Sequence, residues 1–295
     1  MKHTVSYAMA LSSIALWANG WAACLDAGDS RVQLQVLGAG GPNASLGRAS
    51  ASYVVWIDGV GRILVDAGGG TKDAFAEAGA NFDDIDLVAL SHLHPDHSAE
   101  LPALLWPAGG SITVAGPTAA NVFPSVEQFL DRLFGASGAF AILAPRIELQ
   151  TITVDVTAGA PVEVWRDGDI LVRGLGVPHA DVPTIGYRVD VGDASIAFAS
   201  DQNGSNPAFI DFAKSVDILV IHLAGAESST GMIAALHAKP SVWGQMAAAA
   251  EARRVLVSHI AAPSPEELET RLSVLRENYD GPITVGEDSM CIEVR

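Results

Sequence analysis

Three of the chain's eight histidines and one aspartate fall within six consecutive residues, His92-Leu93-His94-Pro95-Asp96-His97. The apolar run that precedes them, Leu87-Val88-Ala89-Leu90, is typical of a buried strand. Alternate side chains of an extended segment point to the same side, so His92 and His94 would face the same way, with Asp96 and His97 on the turn that follows. Imidazole and carboxylate together suit Zn²⁺ and other borderline divalent ions. A lone histidine is more often structural, but ordering four such groups together needs a reason, and the segment therefore predicts a metal site.

The elements that must position these side chains are short strands mixed with helices in both halves of the chain. Alternation and apolar runs predict strands at 32–37, 52–57, 62–65, 86–90, 111–115, 148–156, 162–165, 170–177, 185–191, 195–199, 217–221, 254–257 and 283–285. The helical segments are 72–78, 98–105, 124–134, 242–252 and 265–278, and 135–145 is predicted to be a loop over the site. No linker rich in Pro, Gly or Ser divides the chain. We therefore predict one α/β domain over residues 30–295, in which helices cover the sheets.

The clustered motif resembles the HxHxDH signature of the metallo-β-lactamase superfamily. Further segments resemble motifs of this superfamily, particularly of its ribonuclease Z and arylsulfatase-like branch, and they follow in the family's order. They are Leu64-Val65-Asp66-Ala67-Gly68, Val177-Pro178-His179, Gly186-Tyr187-Arg188, Phe198-Ala199-Ser200-Asp201, Asp217 to His222, and Val255 to His259. Each later motif is weak alone, but the ordered set spans roughly Val32 to Val294.

The resemblance implies a four-layer αβ/βα sandwich with two divalent ions, most simply Zn²⁺, at one edge. The implied ligands are His92, His94 and His179 for the first ion, Asp96, His97 and His259 for the second, and Asp201 as the bridge. A hydroxide shared by two such ions would attack the substrate, because metal binding lowers the pKa of water. Asp66 would orient a ligand imidazole, and its alternative role is to cap the turn before the glycines that follow it.

The catalytic residues implied are Asp96 and His222. In ribonuclease Z relatives a histidine at the place of His222 precedes Glu-Ala-Thr and takes part in proton transfer, whereas here Leu223-Ala224-Gly225 follows. Acid catalysis by His222 and a structural or substrate-contact role therefore stay open. His237 could line the site entrance, but we favour a position at a helix N-terminus or on the surface.

Composition limits the substrate. Hydrophobic residues make up 49% of the chain and charged residues 17%, which excludes a disordered chain. The formal net charge of −17 argues against a nucleic-acid partner, transfer RNA included, because phosphate binding needs clustered cations. We expect hydrolysis of a small-molecule substrate, a phosphodiester or sulfate ester. The alternative is lactonase or β-lactamase-type cleavage of a cyclic ester or amide, and a non-hydrolytic metal-binding protein is a third class.

Residues 1–23 are predicted to be a signal peptide. Lys2 precedes the apolar stretch from Val5 to Trp17, and small residues follow at Ala22-Ala23. This pattern predicts a periplasmic or secreted protein without a membrane span after signal removal. Lipid anchoring at Cys24 is an alternative that Trp21 disfavours. Whether Cys24 pairs with Cys291, the only other cysteine, and whether the chain forms a homodimer stay open.

Overall fold

Two seven-stranded mixed sheets form the centre of the molecule. The computed structural model describes Cys24, residues 30–43 and residues 47–295; the predicted signal peptide at 1–23 lies outside these residues. The first sheet has the order β14-β1-β2-β3-β4-β5-β6. Its strands are β1 (Val32–Gly38), β2 (Ser52–Ile57), β3 (Val60–Val65), β4 (Leu87–Ala89), β5 (Gly110–Pro117), β6 (Ile147–Val154) and β14 (Cys291–Glu293).

The second sheet has the order β13-β12-β11-β10-β9-β8-β7. Its strands are β7 (Val162–Asp167), β8 (Ile170–His179), β9 (Val182–Val191), β10 (Ala194–Phe198), β11 (Ile218–His222), β12 (Val255–Ser258) and β13 (Ile283–Val285). Strands β10 to β13 pair in parallel, as β3 to β6 do in the first sheet. All five residues of β11 are buried, which suits a parallel strand covered on both faces.

Helices cover the outer face of each sheet. They are α1 (Thr71–Glu77), α2 (Pro95–Ser98), α3 (Leu101–Leu105), α4 (Val126–Phe134), α5 (Ala208–Phe212), α6 (Gly231–Leu236), α7 (Pro240–Ala249) and α8 (Pro265–Arg276). One apolar cluster between the sheets joins residues such as Leu34 of β1 to Val189 of β9. Two outer clusters bind α1, α3 and α4 to the first sheet and α5, α7 and α8 to the second. The predicted four-layer αβ/βα sandwich is confirmed.

The parallel strands determine where polar side chains meet, because their carboxyl ends share one edge of a sheet. Asp66 follows β3, Ser91 lies just past β4, and Asp201 comes soon after β10. His222 ends β11 and His259 follows β12. The order of these strands thus brings residues from distant parts of the chain to one edge of the sandwich.

The helices around this edge differ from the prediction. The predicted helix at 98–105 is two short helices, α2 and α3, and α2 already begins at Pro95, so that Asp96 and His97 lie on it. Proline favours the first position of a helix, where its missing N–H costs nothing. Helix α6 was not predicted, because its six residues include no buried side chain and give no amphipathic pattern. In the predicted loop at 135–145, a short 3₁₀ turn spans Ala141–Leu143.

Cys24 and Cys291 form a disulfide, with their Cα atoms 5.4 Å apart. This answers the question that the sequence left open, and it ties Cys24 to the edge strand β14. No helix within the described residues is long and apolar enough to cross a membrane.

We expect the disulfide to stabilise the fold, because a crosslink restricts the unfolded chain. The Cys291→Ser substitution should lower the free energy of unfolding by about 2–4 kcal/mol in urea denaturation without reductant. Reductant should lower the stability of the wild type and leave that of the variant unchanged. Equal free energies of unfolding for the two proteins would contradict this prediction.

Candidate metal centre

Seven histidines and one aspartate contribute ligand atoms to three overlapping groups at the strand-end edge. Within each group the atoms lie within 4.8 Å of one another. The groups are His92, His94 and His179; His97, Asp201, His222 and His259; and His179, Asp201 and His237. The first group holds all three residues predicted for the first ion. The second contains three of the predicted ligands and adds His222.

Asp201 lies between the groups. Its Oδ2 atom is 3.6 Å from Nε2 of His179 and 3.7 Å from Nε2 of His97. Its Oδ1 atom is 3.5 Å from Nε2 of His259 and accepts a 2.7 Å hydrogen bond from Nδ1 of His222. Burial alone would raise the pKa of Asp201, but His259 and the bond from His222 hold it well below its usual range. The carboxylate is therefore ionised, in the position expected of a bridging ligand.

Asp96 lies beside the second group. Its Oδ2 atom is 3.1 Å from Nε2 of His259 and 3.6 Å from Nε2 of His97. Burial would raise the pKa of Asp96, but the hydrogen bond with His259 and the charges of His97 and His259 lower it to about 2. Asp96 is thus a second ionised oxygen donor within reach of an ion bound by His97 and His259.

Asp66 is hydrogen-bonded to the segment that contains the predicted ligands His92 to His97. This aspartate, 1% exposed, accepts hydrogen bonds from the backbone N–H of Ser91 (2.7 Å) and from its hydroxyl (2.8 Å). Its Oδ2 atom also lies 2.8 Å from Nδ1 of His97. A carboxylate on the second ring nitrogen directs the first nitrogen of a ligand histidine toward a metal. The contact agrees with the orienting role that the resemblance implied for Asp66.

The donor set fits bound cations. Buried ring nitrogens without a hydrogen-bond partner include Nε2 of His97 and His179 and Nδ1 of His237 and His259. The other nitrogen of His97 is engaged by Asp66, and that of His179 donates to the carbonyl oxygen of Leu236 at 2.7 Å. An unpaired buried polar atom costs about 1–3 kcal/mol. Three of these nitrogens, on His97, His179 and His237, lie 3.6–3.8 Å from Oδ2 of Asp201 and need a partner there. Divalent ions would satisfy them.

The electrostatics of the rings agree with this reading. Burial lowers the pKa of His92, His94 and His179, which leaves them as the neutral imidazoles that bind metals. For His97 burial acts in the same direction, but the carboxylates of Asp66, Asp201 and Asp96 raise its pKa to about 9. The negative field that would hold a proton on His97 is the field that a cation would neutralise.

Backbone conformation is unusual at three strand ends of the site. Asp66, Ser200 and His259 have φ angles of 58°, 56° and 46°, in the left-handed region that non-glycine residues seldom adopt.

The glycine-rich turn after β1 contributes one further feature that the sequence did not reveal. A Cβ at Gly41 would lie 2.8 Å from Cε1 of His259, so the turn can pass over that ring only because residue 41 has no side chain.

His222 is 1% exposed, and both of its ring nitrogens are engaged. Nδ1 contacts Asp201, and Nε2 lies 3.2 Å from the hydroxyl of Tyr53. Burial lowers the pKa of His222 to about 4, so the ring is neutral. The structure places this histidine behind Asp201, where no nitrogen is free to meet a substrate.

His237 lies at the site and not on the surface or at a helix N-terminus, where the sequence favoured it. It follows the last residue of α6, its side chain is 14% exposed, and its Nδ1 atom lies 3.8 Å from Oδ2 of Asp201. Burial lowers its pKa to about 4. The site entrance was the alternative that the sequence offered for His237, and it was not favoured because α6, which delivers the residue, was not recognised.

A cavity of about 510 Å³ adjoins the cluster at His179. That volume is in the range of small-molecule sites. None of the residues that line it is Lys or Arg. They lie in the segments 120–121, 176–184 and 205–207 and at Val156. Phe123, next to the segment 120–121, has its ring centroid 6.1 Å from that of His94. The space beside the metal cluster therefore suits a compact, weakly charged group.

Comparisons with known proteins agree with this architecture. A model of the β-lactamase superfamily domain matches residues 61–260. Ribonuclease Z of Mycobacterium sp. (strain KMS) is 31% identical over 186 residues, which cover 58% of this chain and 61% of that protein. The chain thus spans about three fifths of the length of this relative. Ribonuclease Z of Thermobifida fusca (strain YX) is 24% identical over 316 residues, covering 89% of this chain and 94% of that protein.

Solved structures share the fold at low sequence identity. The metallo-β-lactamase fold protein YhfI from Bacillus subtilis has a TM-score of 0.71 and 17% identity, over 90% of this chain and 99% of that one. The short form of human tRNase Z has a TM-score of 0.70 and 19% identity, over 89% and 99%. A diphosphatase from the PhnP family has a TM-score of 0.64 and 18% identity, over 90% and 98%. The resemblance to the metallo-β-lactamase superfamily and its ribonuclease Z branch is confirmed.

Proposed function

The chain belongs to the β-lactamase superfamily, and on that premise we propose that it is a two-metal hydrolase of small phosphodiesters or sulfate esters. The observation that carries this proposal is the arrangement of two groups of histidine nitrogens on either side of the ionised Asp201 carboxylate. The family match and the ligand set together make metal-dependent hydrolysis the function that the site supports best.

His92, His94 and His179 would hold one ion, and Asp96, His97 and His259 the other, with Asp201 shared between them. Imidazole and carboxylate donors favour Zn²⁺. Two such ions, when bound, lower the pKa of a coordinated water and stabilise the charge that develops on the substrate.

The chain's own residues supply the rest of the chemistry. Asp66 fixes the ring of His97, and Leu236 fixes the ring of His179 through its carbonyl oxygen. Asp96 offers an ionised carboxylate beside the ion that it would bind, where it can also accept a proton from the attacking water. His237 has an unpartnered nitrogen, Nδ1, 3.8 Å from Oδ2 of Asp201, and it is not among the proposed ligands. A negative ester bound beside His237 would raise its pKa, so that the ring could pass a proton to the leaving oxygen.

The features around the centre favour a small substrate. The adjoining cavity holds no Lys or Arg, and the chain carries a net charge of −17. A long polyanion would meet repulsion outside the metals, whereas the single charge of a small diester or sulfate ester is met by the ions themselves. Several relatives are named ribonucleases, so precursor transfer RNA is the comparison that tests this choice.

The test is a substrate panel run with zinc-loaded protein. It contains a bis-aryl phosphodiester, an aryl sulfate, a homoserine lactone, a β-lactam and a precursor transfer RNA. We expect turnover of the phosphodiester or the sulfate ester. Turnover of the lactone or β-lactam alone would replace the proposal with its runner-up, and cleavage of the RNA alone would show that the substrate class is wrong.

Metal removal should abolish this activity reversibly. After dialysis against a strong chelator we expect no measurable hydrolysis, because the ligand histidines and aspartates cannot by themselves activate water. Returning Zn²⁺ should restore the rate at about two ions per chain in metal analysis. Full activity in metal-free protein would contradict the proposed chemistry.

Export through the predicted signal peptide is part of the proposal, and the disulfide supports it. Disulfides persist in oxidising compartments and are rare in the cytosol. Because the sulfur of Cys24 is bonded to Cys291, it is not free to carry a lipid. Cell fractionation with mass spectrometry of the mature N-terminus would decide this: an uncleaved cytosolic chain would exclude export, and a lipid on Cys24 would exclude the disulfide.

A further inference from the structure

A buried tyrosine lies directly behind the metal cluster. Tyr53, on β2 of the first sheet, is 1% exposed and reaches across the sandwich to the second sheet. Its hydroxyl oxygen is 2.7 Å from Oγ of Ser258 and 3.2 Å from Nε2 of His222. The ring planes of Tyr53 and His222 are inclined by 28°, with centroids 6.3 Å apart. A phenol hydroxyl in this apolar interior is costly unless it is hydrogen-bonded, and its partners lie next to metal ligands.

These contacts continue to the shared carboxylate. His222 uses Nε2 toward Tyr53 and Nδ1 toward Oδ1 of Asp201, the latter at 2.7 Å. Ser258, His222 and Asp201 are each 2% exposed or less, as is Tyr53. An unbroken line of four side chains, closed to solvent, therefore joins the core to the point where the two groups of ligands meet.

The contact with Tyr53 holds the ring of His222 on the side away from Asp201. One ring nitrogen of His222 meets the carboxylate and the other meets the phenol oxygen. The phenol is itself held by the 2.7 Å hydrogen bond that Tyr53 donates to Oγ of Ser258. The imidazole is therefore fixed at two points, and loss of the phenol oxygen would leave one.

We propose that Tyr53 is a positioning residue of the metal centre. Its hydroxyl holds the ring of His222 in one orientation, and His222 in turn fixes Oδ1 of Asp201, which leaves Oδ2 facing both His97 and His179. The inference rests on the proposed metal-binding function but not on the identity of the substrate. It assigns to a side chain of the opposite sheet a part in placing the shared ligand.

The Tyr53→Phe variant tests the proposal, because it removes one oxygen and keeps the ring in the core. Loss of a direct hydrogen-bond partner of a metal ligand, here His222 for Asp201, typically weakens metal affinity or activity by about 10–100-fold. Tyr53 acts one contact further out, so we expect a loss at the lower end of this range, about tenfold, in the affinity for at least one Zn²⁺, measured by competition with a chromogenic chelator. Substitution of Co²⁺ should give an altered visible spectrum in the variant.

The matched control is Tyr279→Phe. Tyr279 is also buried, at 6% exposure, and its hydroxyl donates to the carbonyl oxygen of Ala252 at 2.7 Å, away from the cluster. Both variants lose the buried hydroxyl of a tyrosine, with two contacts at Tyr53 and one at Tyr279, so both should lose stability. Only Tyr53→Phe should change metal affinity. Affinity equal to that of the wild type in Tyr53→Phe would overturn the proposal.

A double-mutant cycle checks that Tyr53 acts through His222. In a His222→Ala background the Tyr53→Phe change should have no further effect on metal affinity, because its partner is already gone. Additive losses would place the action of Tyr53 elsewhere and refute the inference. A wild type that binds no cation would defeat both this inference and the proposed function. One that binds Zn²⁺ but hydrolyses no ester would defeat the function alone, and the binding data would still decide the role of Tyr53.

Discussion

The Asp201→Ala variant should lose metal and turnover together. Asp201 provides the only carboxylate that faces both His97 and His179 in the described part of the chain, at 3.7 Å and 3.6 Å. Its removal takes away a ligand of both proposed ions and one negative charge that offsets theirs. We expect a fall in kcat/KM of at least about a thousand-fold, beyond the 10–100-fold typical of an outer hydrogen-bond partner. Metal analysis after gel filtration should find the variant depleted of zinc.

Asp217→Ala is the matched control for this substitution. Asp217 is also a buried aspartate, but it precedes β11 at the end opposite His222, where it accepts hydrogen bonds from the backbone of Ser195 and from Arg295. Its loss should lower stability and leave zinc content unchanged. Zinc should raise the melting temperature of the wild type and of Asp217→Ala, because a ligand that binds only the folded state stabilises it, but not that of Asp201→Ala. Retention of two ions by Asp201→Ala would contradict the bridging assignment.

Much of this centre could be predicted because its ligands follow apolar strands in short motifs. Residues 92–97 combine unusual residue types with a buried strand, and His179 and Asp201 also stand close to strand ends. Parallel pairing then makes convergence of these ends a consequence of topology. The neighbouring strands predicted at 52–57 and 62–65 form the antiparallel pair β2 and β3 for a similar reason, since alternation and the turn residues Asp58-Gly59 between them suffice to specify a hairpin.

The features that escaped prediction depend on packing between distant segments. His237 ends a six-residue helix without a buried side chain, so neither periodicity nor capping marks it. In the sequence, Tyr53 resembles the apolar residues of its strand. Only its contacts with His222 and Ser258 of the second sheet show that its hydroxyl is hydrogen-bonded beside the site. The pairing of Cys24 with Cys291 spans 267 residues of sequence separation, over which spacing carries no information. Site residues could therefore be predicted where a short local motif contains them, but not where contacts between distant segments define their role.

The His237→Ala variant should keep its metal and lose most of its rate on substrates with poor leaving groups. Among the histidines near Asp201, His237 combines an unpartnered Nδ1 with a partly exposed side chain, whereas both nitrogens of His222 are engaged. A positioned acid contributes about 10²–10⁴-fold when the leaving oxygen needs a proton. We expect a loss of that size in kcat for alkyl phosphodiesters, and a much smaller loss for nitrophenyl esters, whose leaving group departs without a proton.

Comparison with His222→Ala separates the two histidines. If His222 only holds Asp201, its variant should lose zinc affinity and slow all esters alike, with no dependence on the leaving group. Met232→Ala, an exposed residue of α6 at 67% exposure, controls for disturbance of the helix that delivers His237 and should behave as the wild type. If the rate loss depended on the leaving group in His222→Ala but not in His237→Ala, His222 and not His237 would be the general acid. Because the prediction concerns a slope across substrates, a partial loss of folded protein, which lowers every rate equally, cannot imitate it.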